Sequence, residues 1–336
     1  MRIWTIALLS LFVLVAGCID GNHTIVNKND VVTIENYFVT DPAPFTSTSS
    51  KPVRTNIQFD VFNNGDQKIP YLEVDFFDLS GFTSDSINCG SFAEKDGNKC
   101  IFTGERNSLL PLDSRSITMS LITPKNIESP TPYTVSFAVR YVYHGFRQVN
   151  IPIIDGVTKK EPTTQFKQSE PSVGPVVLDI EPSIERTIQV DDQTVKQYWG
   201  IGGDNPLPFF TKFKFSHIGT VEGRIKDVNI TRTNVRFGVS GLQTASDSIC
   251  SDFKGYDPAE IGSNPSEFNI DGIKFSIPEQ MSQFSTKHVL VPFDTLFCTF
   301  LADQKTPEYA ATISAYFAYK YEFIKSQEFA VQPLPK

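Results

Sequence analysis

Apolar and polar residues alternate with a period of two through much of the chain. Ile57, Phe59 and Val61 share one side of a short segment, with Asn56, Gln58 and Asp60 on the other. Val135, Phe137, Val139, Tyr141 and Tyr143 form a longer apolar side, opposed by Thr134, Ser136, Ala138 and Arg140. Ala311, Ile313, Ala315, Phe317 and Tyr319 repeat that layout near the C terminus, and Val235, Phe237 and Val239 give a shorter version with Asn234 and Arg236 outside. Successive side chains of a strand point to opposite faces, so each segment is expected to be a strand with one buried and one wet side. No stretch of comparable length carries a helical period, and "DPAEIG" from Asp257 would make one turn at most. The expectation is an all-β chain in which apolar sheet faces are buried against one another.

The alternating segments recur in the same order in two halves. "FDVFNNGD" (Phe59–Asp66) matches "FKFSHIGT" (Phe213–Thr220), and "SDSINC" ending at Cys89 matches "SDSIC" ending at Cys250. "LPLDSRSITMSL" from Leu110 matches "VPFDTLFCTFL" from Val291, and "PYTVSFAVRYVY" from Pro132 matches "EYAATISAYFAY" from Glu308. The offset drifts from 154 at Gly65/Gly219 to 162 at Ile87/Ile249, 181 at Pro111/Pro292 and 176 at Tyr133/Tyr309. Such drift places insertions in loops, where they are tolerated, and the ordered matches indicate an internal duplication. Between the copies, residues 156–175 are polar with Pro and Gly near the ends and read as a linker. The expected layout is a signal peptide at 1–17, a polar tether at 18–30, one β-sandwich domain at 31–155, the linker at 156–175 and a second β-sandwich domain at 176–334.

The order "VFNNG", a Pro111-Leu112-Asp113 turn, a strand and a Tyr-led strand resembles the immunoglobulin-like modules found in tandem on archaeal and bacterial surface proteins, with CARDB-type adhesion modules the nearest. That resemblance implies two tandem immunoglobulin-like sandwiches. It places Tyr133 and Tyr309 where a tyrosine corner would be, although each also serves as an ordinary strand aromatic. Both halves exceed a minimal module, and the second carries an insertion over 251–287.

The N terminus changes the picture of where the protein resides. "MRIWTIALLSLFVLVAGC" has one early charge, Arg2, then a mostly apolar run of fourteen residues, Ile3–Ala16, and small residues. This is the layout of a secretory signal, and the run is short of the about 20 residues that span a bilayer. Val15-Ala16-Gly17-Cys18 resembles the lipobox of bacterial and some archaeal lipoproteins. The resemblance implies diacylglyceryl transfer to the Cys18 thiol, cleavage before Cys18 and a lipid-anchored protein on the extracytoplasmic face of the membrane. Acyl chains bury many methylenes at roughly 0.8 kcal/mol each. A plain secretory signal and an uncleaved membrane anchor are the other readings.

Of five cysteines, lipidation would account for Cys18 and leave Cys89, Cys100, Cys250 and Cys298. Outside the cell these are expected to oxidise. Four cysteines allow three connectivities. Because the repeat aligns Cys89 with Cys250, pairing within each copy is the choice, Cys89 with Cys100 and Cys250 with Cys298. Metal ligation is the competing reading, and the wide spacings and distant histidines speak against it.

The formal net charge is −8, and it becomes −9 without residues 1–17, which hold only Arg2 (29 basic against 38 acidic). Nucleic-acid binding is not expected from such a balance. The chain contains no HExxH, P-loop, GxSxG or CxxC pattern, so no catalytic residue, metal or cofactor is assigned. "GIGGDNP" from Gly200 lacks the Lys and Ser/Thr of a phosphate loop and reads as a mobile loop. Glu73 and Asp75 share a strand face, with Asp78 beside them. Calcium is one use for such carboxylates, and a solvated outer face is the other. Asp191-Asp192 is a weaker acidic pair. His144 and His217 have no partner evident in sequence. Asn22 and Asn229 head sequons and are glycosylation candidates. The loops 41–50 and 203–210 and the insertion carry aromatics that would serve either recognition or core capping. The function expected is a non-catalytic structural, adhesion or scaffold role, with an envelope protein or glycan as partner. The alternative is a lipid-anchored binding module for a small solute or glycan.

Overall fold

The computed structural model describes residues 29–91, 93–104, 106–155, 162–163, 165–190, 193–204, 206–219, 223–225, 235–244, 267–270, 273–276, 287–288, 295–302 and 308–335. Cys18, Asn22, Asp191, Asp192, Asn229 and Cys250 lie outside them. The regular structure is entirely strand among the described residues.

The first half contributes β1 (Val32–Val39), β2 (Arg54–Asn63), β3 (Tyr71–Asp78), β4 (Thr83–Asn88), β5 (Glu94–Asp96), β6 (Lys99–Thr103), β7 (Ser114–Ile122) and the long β8 (Thr131–Asp155). Then follow β9 (Lys167–Gln168), β10 (Val176–Pro182), β11 (Glu185–Val190), β12 (Gln193–Tyr198), β13 (Gly200–Gly202), β14 (Phe209–His217), β15 (Gly223–Ile225), β16 (Val235–Ser240), β17 (Leu242–Thr244), β18 (Glu267–Ile270), β19 (Ile273–Ser276), β20 (Lys287–His288), β21 (Thr295–Ala302) and the long β22 (Glu308–Val331).

Two four-stranded sheets carry the duplication. One has the order β1-β2-β7-β4 and the other β10-β14-β21-β17. The matched sequences fall on corresponding strands, β2 with β14 and β7 with β21. Both sheets pack on one larger sheet of order β20-β16-β22-β8-β3-β6-β5. At its centre β8 and β22 pair antiparallel from Thr131↔Val331 to Ile154↔Glu308. Strands of this length, at about 3.3 Å per residue, run roughly 80 Å.

The register of that pair is what the repeat demands. With the offset of 176, Tyr143 corresponds to Tyr319, and these two residues face each other. The copies are therefore related by a pseudo-twofold axis between β8 and β22. Each copy has a four-stranded sheet of its own, but its second layer is half of a common sheet.

The consequence is reciprocal completion. Val135, Phe137 and Val139 of β8 are buried in the first sandwich, where Phe137 stacks on Phe59 of β2 at 4.5 Å and meets Phe76 of β3 at 5.1 Å. The same strand continues into the second sandwich, where Val149, Ile151 and Ile153 are buried. Conversely, β22 buries Ala311, Ile313 and Ala315 in the second sandwich, then crosses to the first. There Phe329 and Val331 are fully buried and Phe329 packs on Phe82 at 4.9 Å. Backbone bonds Ala330 N–H to Pro42 O and Gln332 N–H to Pro44 O fix this end against the loop after β1.

The stretch read as a linker is only partly a spacer. Strand β9 pairs with Val149 and Asn150, Ser169 N–H bonds Gln148 O, and Ser172 Oγ accepts the Phe146 N–H. This return path lines β8. "GIGGDNP" is likewise no free loop at its start, because β13 adds parallel to Ile153–Asp155.

Cys89 and Cys100 are joined by a disulfide with a Cα–Cα distance of 5.5 Å. Cys89 follows β4 and Cys100 lies on β6, so the bond links the two layers of the first sandwich. Cys298 is also disulfide-bonded and buried on β21. The chain-entropy model gives roughly 3 kcal/mol for a loop of the Cys89–Cys100 size. The double variant Cys89→Ser/Cys100→Ser should lose about that much in chemical denaturation, with a lower midpoint and an m-value equal or slightly higher because its unfolded chain is less compact. An unaltered midpoint would show that the layers do not need the bond.

Candidate functional site: a charged row and a tyrosine waist

The shared sheet places polar chemistry in two zones. The first is on its outer face. Glu73 on β3 is in register with Arg140 on β8, and Arg140 with Glu322 on β22, so acid, base and acid form a row across three strands. The Arg140 guanidinium donates to Glu322 and Glu73 at 2.5 Å each and to Asp75 at 2.9 Å. Lys99 on β6 adds ion pairs to Asp75 at 3.5 Å and Glu73 at 3.9 Å. Tyr71 donates its hydroxyl to Glu73, and the Lys320 ammonium lies 5.4 Å from the Tyr71 ring.

Glu73, Asp75, Arg140 and Glu322 are largely out of water, and the Glu322 side chain is 1% exposed; Lys99 is more open. Burial pushes the Glu73 carboxyl up, but the Tyr71 and Arg140 hydrogen bonds and the Arg140 and Lys99 charges outweigh it and hold it below the usual value. Burial likewise opposes the Arg140 charge, and its carboxylate partners more than compensate. Glu73 and Asp75 are thus not a solvated face, and their charges are met by Arg140 and Lys99. Asp78 is separate and accepts the Ser80 N–H in an exposed turn.

By backbone register, the twofold-related row is Arg236, Tyr316 and Phe146. It has no carboxylate, so the charged row occurs at only one of the two twofold-related places and is not a requirement of the fold.

The second zone is the waist, on the inner face between the two four-stranded sheets. Tyr141, Tyr143, Tyr319 and Tyr321 form its floor, all buried, with Tyr141 and Tyr321 5.5 Å apart and Tyr143 and Tyr319 6.2 Å apart. The turns that end β2 and β14 close over it. Tyr143 donates to Asp66 at 2.8 Å, and the Tyr321 hydroxyl is 2.8 Å from His217 Nε2. Gly65 and Gly219 are at matching positions. A Cβ on either would lie 2.6 Å from the Tyr143 hydroxyl or 2.7 Å from that of Tyr321. The waist glycines of the repeat are therefore conserved between the copies because a tyrosine hydroxyl occupies the space of their missing side chain.

Burial raises the pKa of Tyr141, Tyr143, Tyr319 and Tyr321, so all four remain neutral hydroxyls. It also lowers His217, and it pushes His144 down to about 4. The His144 ring lies 5.6 Å from that of Tyr143, whereas the hydroxyl that meets His217 is that of Tyr321. Sequence reasoning missed that pair. Its only signal was the matched "SHIG" and "NNG" turns, which could not say what they close upon.

Gly145 fills a related role. Phe317 is opposite it across the β8–β22 pair, and a Cβ there would lie 2.3 Å from Phe317 Cζ. Phe317 is fixed by Phe215 at 5.3 Å. Gly145→Val should cost about 1–3 kcal/mol through overpacking, read as a lower midpoint in urea, and a variant of native stability would contradict this packing.

Tyr133 and Tyr309 are not tyrosine corners. Tyr133 covers Gly81 and meets Phe82 edge-on, while Tyr309 covers Gly241 and donates to its carbonyl at 3.0 Å. Both glycines have positive φ, 94° and 72°. Each tyrosine thus clamps the left-handed turn before β4 or β17, distant in sequence, which is one more feature the copies share.

No family model matches the sequence, and no curated protein matches it. Among solved structures, the chain is similar to BcpA, the major pilin subunit of Bacillus cereus, at 8% identity over 58% of this chain and 61% of that one, with a TM-score of 0.24. It is also similar to domains D2 and D3 of the major pilin SpaD from Corynebacterium diphtheriae, at 13% identity over 82% and 84% of the two chains, with a TM-score of 0.23.

Proposed function

We propose that the chain is a lipid-anchored envelope protein with a non-catalytic structural, adhesion or scaffold role, exercised through loops at the two outer ends of its paired sandwiches. The observation that carries this reading is the reciprocal completion of the sandwiches by β8 and β22. It makes one stiff element of roughly 80 Å, with loops displayed at both ends. Exposed Phe45 lies at the outer end of the first sandwich, where it bridges Gln332, and exposed Leu207 and Phe210 lie just before and at the start of β14, at the outer end of the second. Aromatic and apolar loop residues on a rigid scaffold suit recognition of a protein or glycan. The charged side chains with the most chemistry, Arg140, Glu73, Asp75 and Glu322, are engaged with one another.

Photo-crosslinking residues at positions 45 and 210 should capture a reproducible envelope component in intact cells, and Cys18→Ser should move the protein from the membrane to the soluble fraction. Retention of the Cys18→Ser protein in membranes would refute the lipid anchor. Turnover of a substrate by purified protein, lost on substituting either loop, would refute the non-catalytic role.

A further inference from the structure

We infer that the molecule meets the bilayer at its waist, through the exposed Leu110, Leu112 and Ile218 of its turns, with its two sandwiches lying to either side. This rests on the lipid-anchor reading above and specifies the pose of the anchored protein.

The position of the chain entry carries the argument. Val31 is fully buried, and its carbonyl accepts the Asn64 N–H at 2.7 Å, in the turn that closes over Tyr143. The tether therefore leaves the body at the pseudo-twofold axis and not at an end. From Tyr143 to Thr131 or to Asp155 is twelve residues, or about 40 Å at 3.3 Å per residue. Residues 19–30 can span about 40 Å only when fully stretched. A lipid on Cys18 thus holds the waist near the headgroups, while the outer ends approach only when the tether is extended.

The surface at that place is apolar. Leu110 is 54% exposed, Leu112 75% and Ile218 36%. All three belong to turns at the waist. Leu112 N–H bonds Asn63 O, at the end of β2, and Ile218 N–H bonds Pro175 O, just past β14. Leu112 also has φ 63°, a conformation in which Gly or Asn is less costly. A leucine there is unfavourable both in backbone and in exposure to water, which points to a use for its side chain. Neighbouring carboxylates are occupied, Asp113 by Arg115 and Asp66 by Tyr143. The chain is acidic overall, so the contact is apolar and does not depend on anionic lipid.

The test uses the mature lipidated protein reconstituted in phosphatidylcholine vesicles, with brominated acyl chains as quenchers. Trp199 is buried and supplies the background. Three variants report position: Leu112→Trp at the waist, and Phe45→Trp and Phe210→Trp at the ends. The expected result is a blue shift and quenching for Leu112→Trp only, unchanged by salt, with native thermal unfolding for each variant. Leu110→Ser added to Leu112→Trp should reduce the quenching. Vesicle-bound protein quenched at an end, or at none of the three positions, overturns the waist contact and leaves the anchor standing. Protein recovered free of vesicles with an unmodified Cys18 by mass spectrometry overturns the anchor and the contact together.

Discussion

Deleting the chain from Lys320 onward is expected to unfold the first half of the protein, although the deleted residues are the last of the second. In the native structure this segment pairs with β8 from Thr131 to Val142, and it delivers Phe329 and Val331 to the first core. Each of those side chains is worth about 1.5–3 kcal/mol when fully buried. Phe82 would lose its ring partner, and Arg140 would lose Glu322. The β8 edge so exposed is long and flat, the kind that pairs with other chains. The summed loss is comparable to the whole stability of an ordinary domain, 5–15 kcal/mol. Hydrogen exchange gives the decisive reading. Amides of β2, β3 and β7 should lose protection in the truncated protein while β14 and β21 keep theirs, and a peptide covering residues 320–334 should restore it. Independent domains would show the opposite pattern, with damage confined to the second half. Loss only there, or no loss, would contradict reciprocal completion.

The strands themselves were legible because their signal is local. The period-two runs at Ile57–Val61, Val135–Tyr143 and Ala311–Tyr319 fall within β2, β8 and β22. The duplication was legible because both copies kept the order of their turns. What the residues could not show was where the copies meet. The β8 pattern is clear to Tyr143, then Gly145 and Arg147 interrupt the apolar side, and the strand reads as ending. It continues because Gly145 makes room for Phe317 and Arg147 bonds Ser169 on the returning chain. Those causes lie far along the chain, in the stretch between the copies and in the second copy. The site was hidden for the same reason. Arg140 marks an outward face, and only the cross-strand register shows that Glu73 and Glu322 flank it. The reading of Glu73 and Asp75 as a solvated outer face failed because β3 itself carries no cation, and Arg140, which neutralises them, comes from β8.

Arg140→Ala should be the most damaging single substitution on the outer face. It leaves Glu73, Asp75 and Glu322 clustered out of water with only Lys99 beside two of them. Breaking a buried ion pair by removing one partner costs about 3–5 kcal/mol, and Arg140→Lys should recover only part, because an ammonium cannot reproduce the forked contacts. The pH dependence gives a stricter test. In the native protein the Glu73 carboxyl lies below its usual value. Its contribution is therefore full above the unfolded-state pKa and is lost as pH falls through the lower folded value. In Arg140→Ala the sign reverses. Burial and like-charged neighbours raise the carboxyl pKa, so the folded variant binds protons that the unfolded chain does not, and acidification from neutrality stabilises it. The stability difference between the two proteins should be largest near neutral pH and narrow toward pH 4–5. A difference that stays constant over that range would mean that Arg140 acts by packing alone. Replacing Arg140, Glu73, Asp75 and Glu322 together with apolar residues should restore stability, since apolar substitutes for a buried ionic cluster are often neutral or better. The row would then be retained for something other than stability. Its occurrence at only one of the two twofold-related places, with Arg236, Tyr316 and Phe146 at the other, already argues that the fold does not need it.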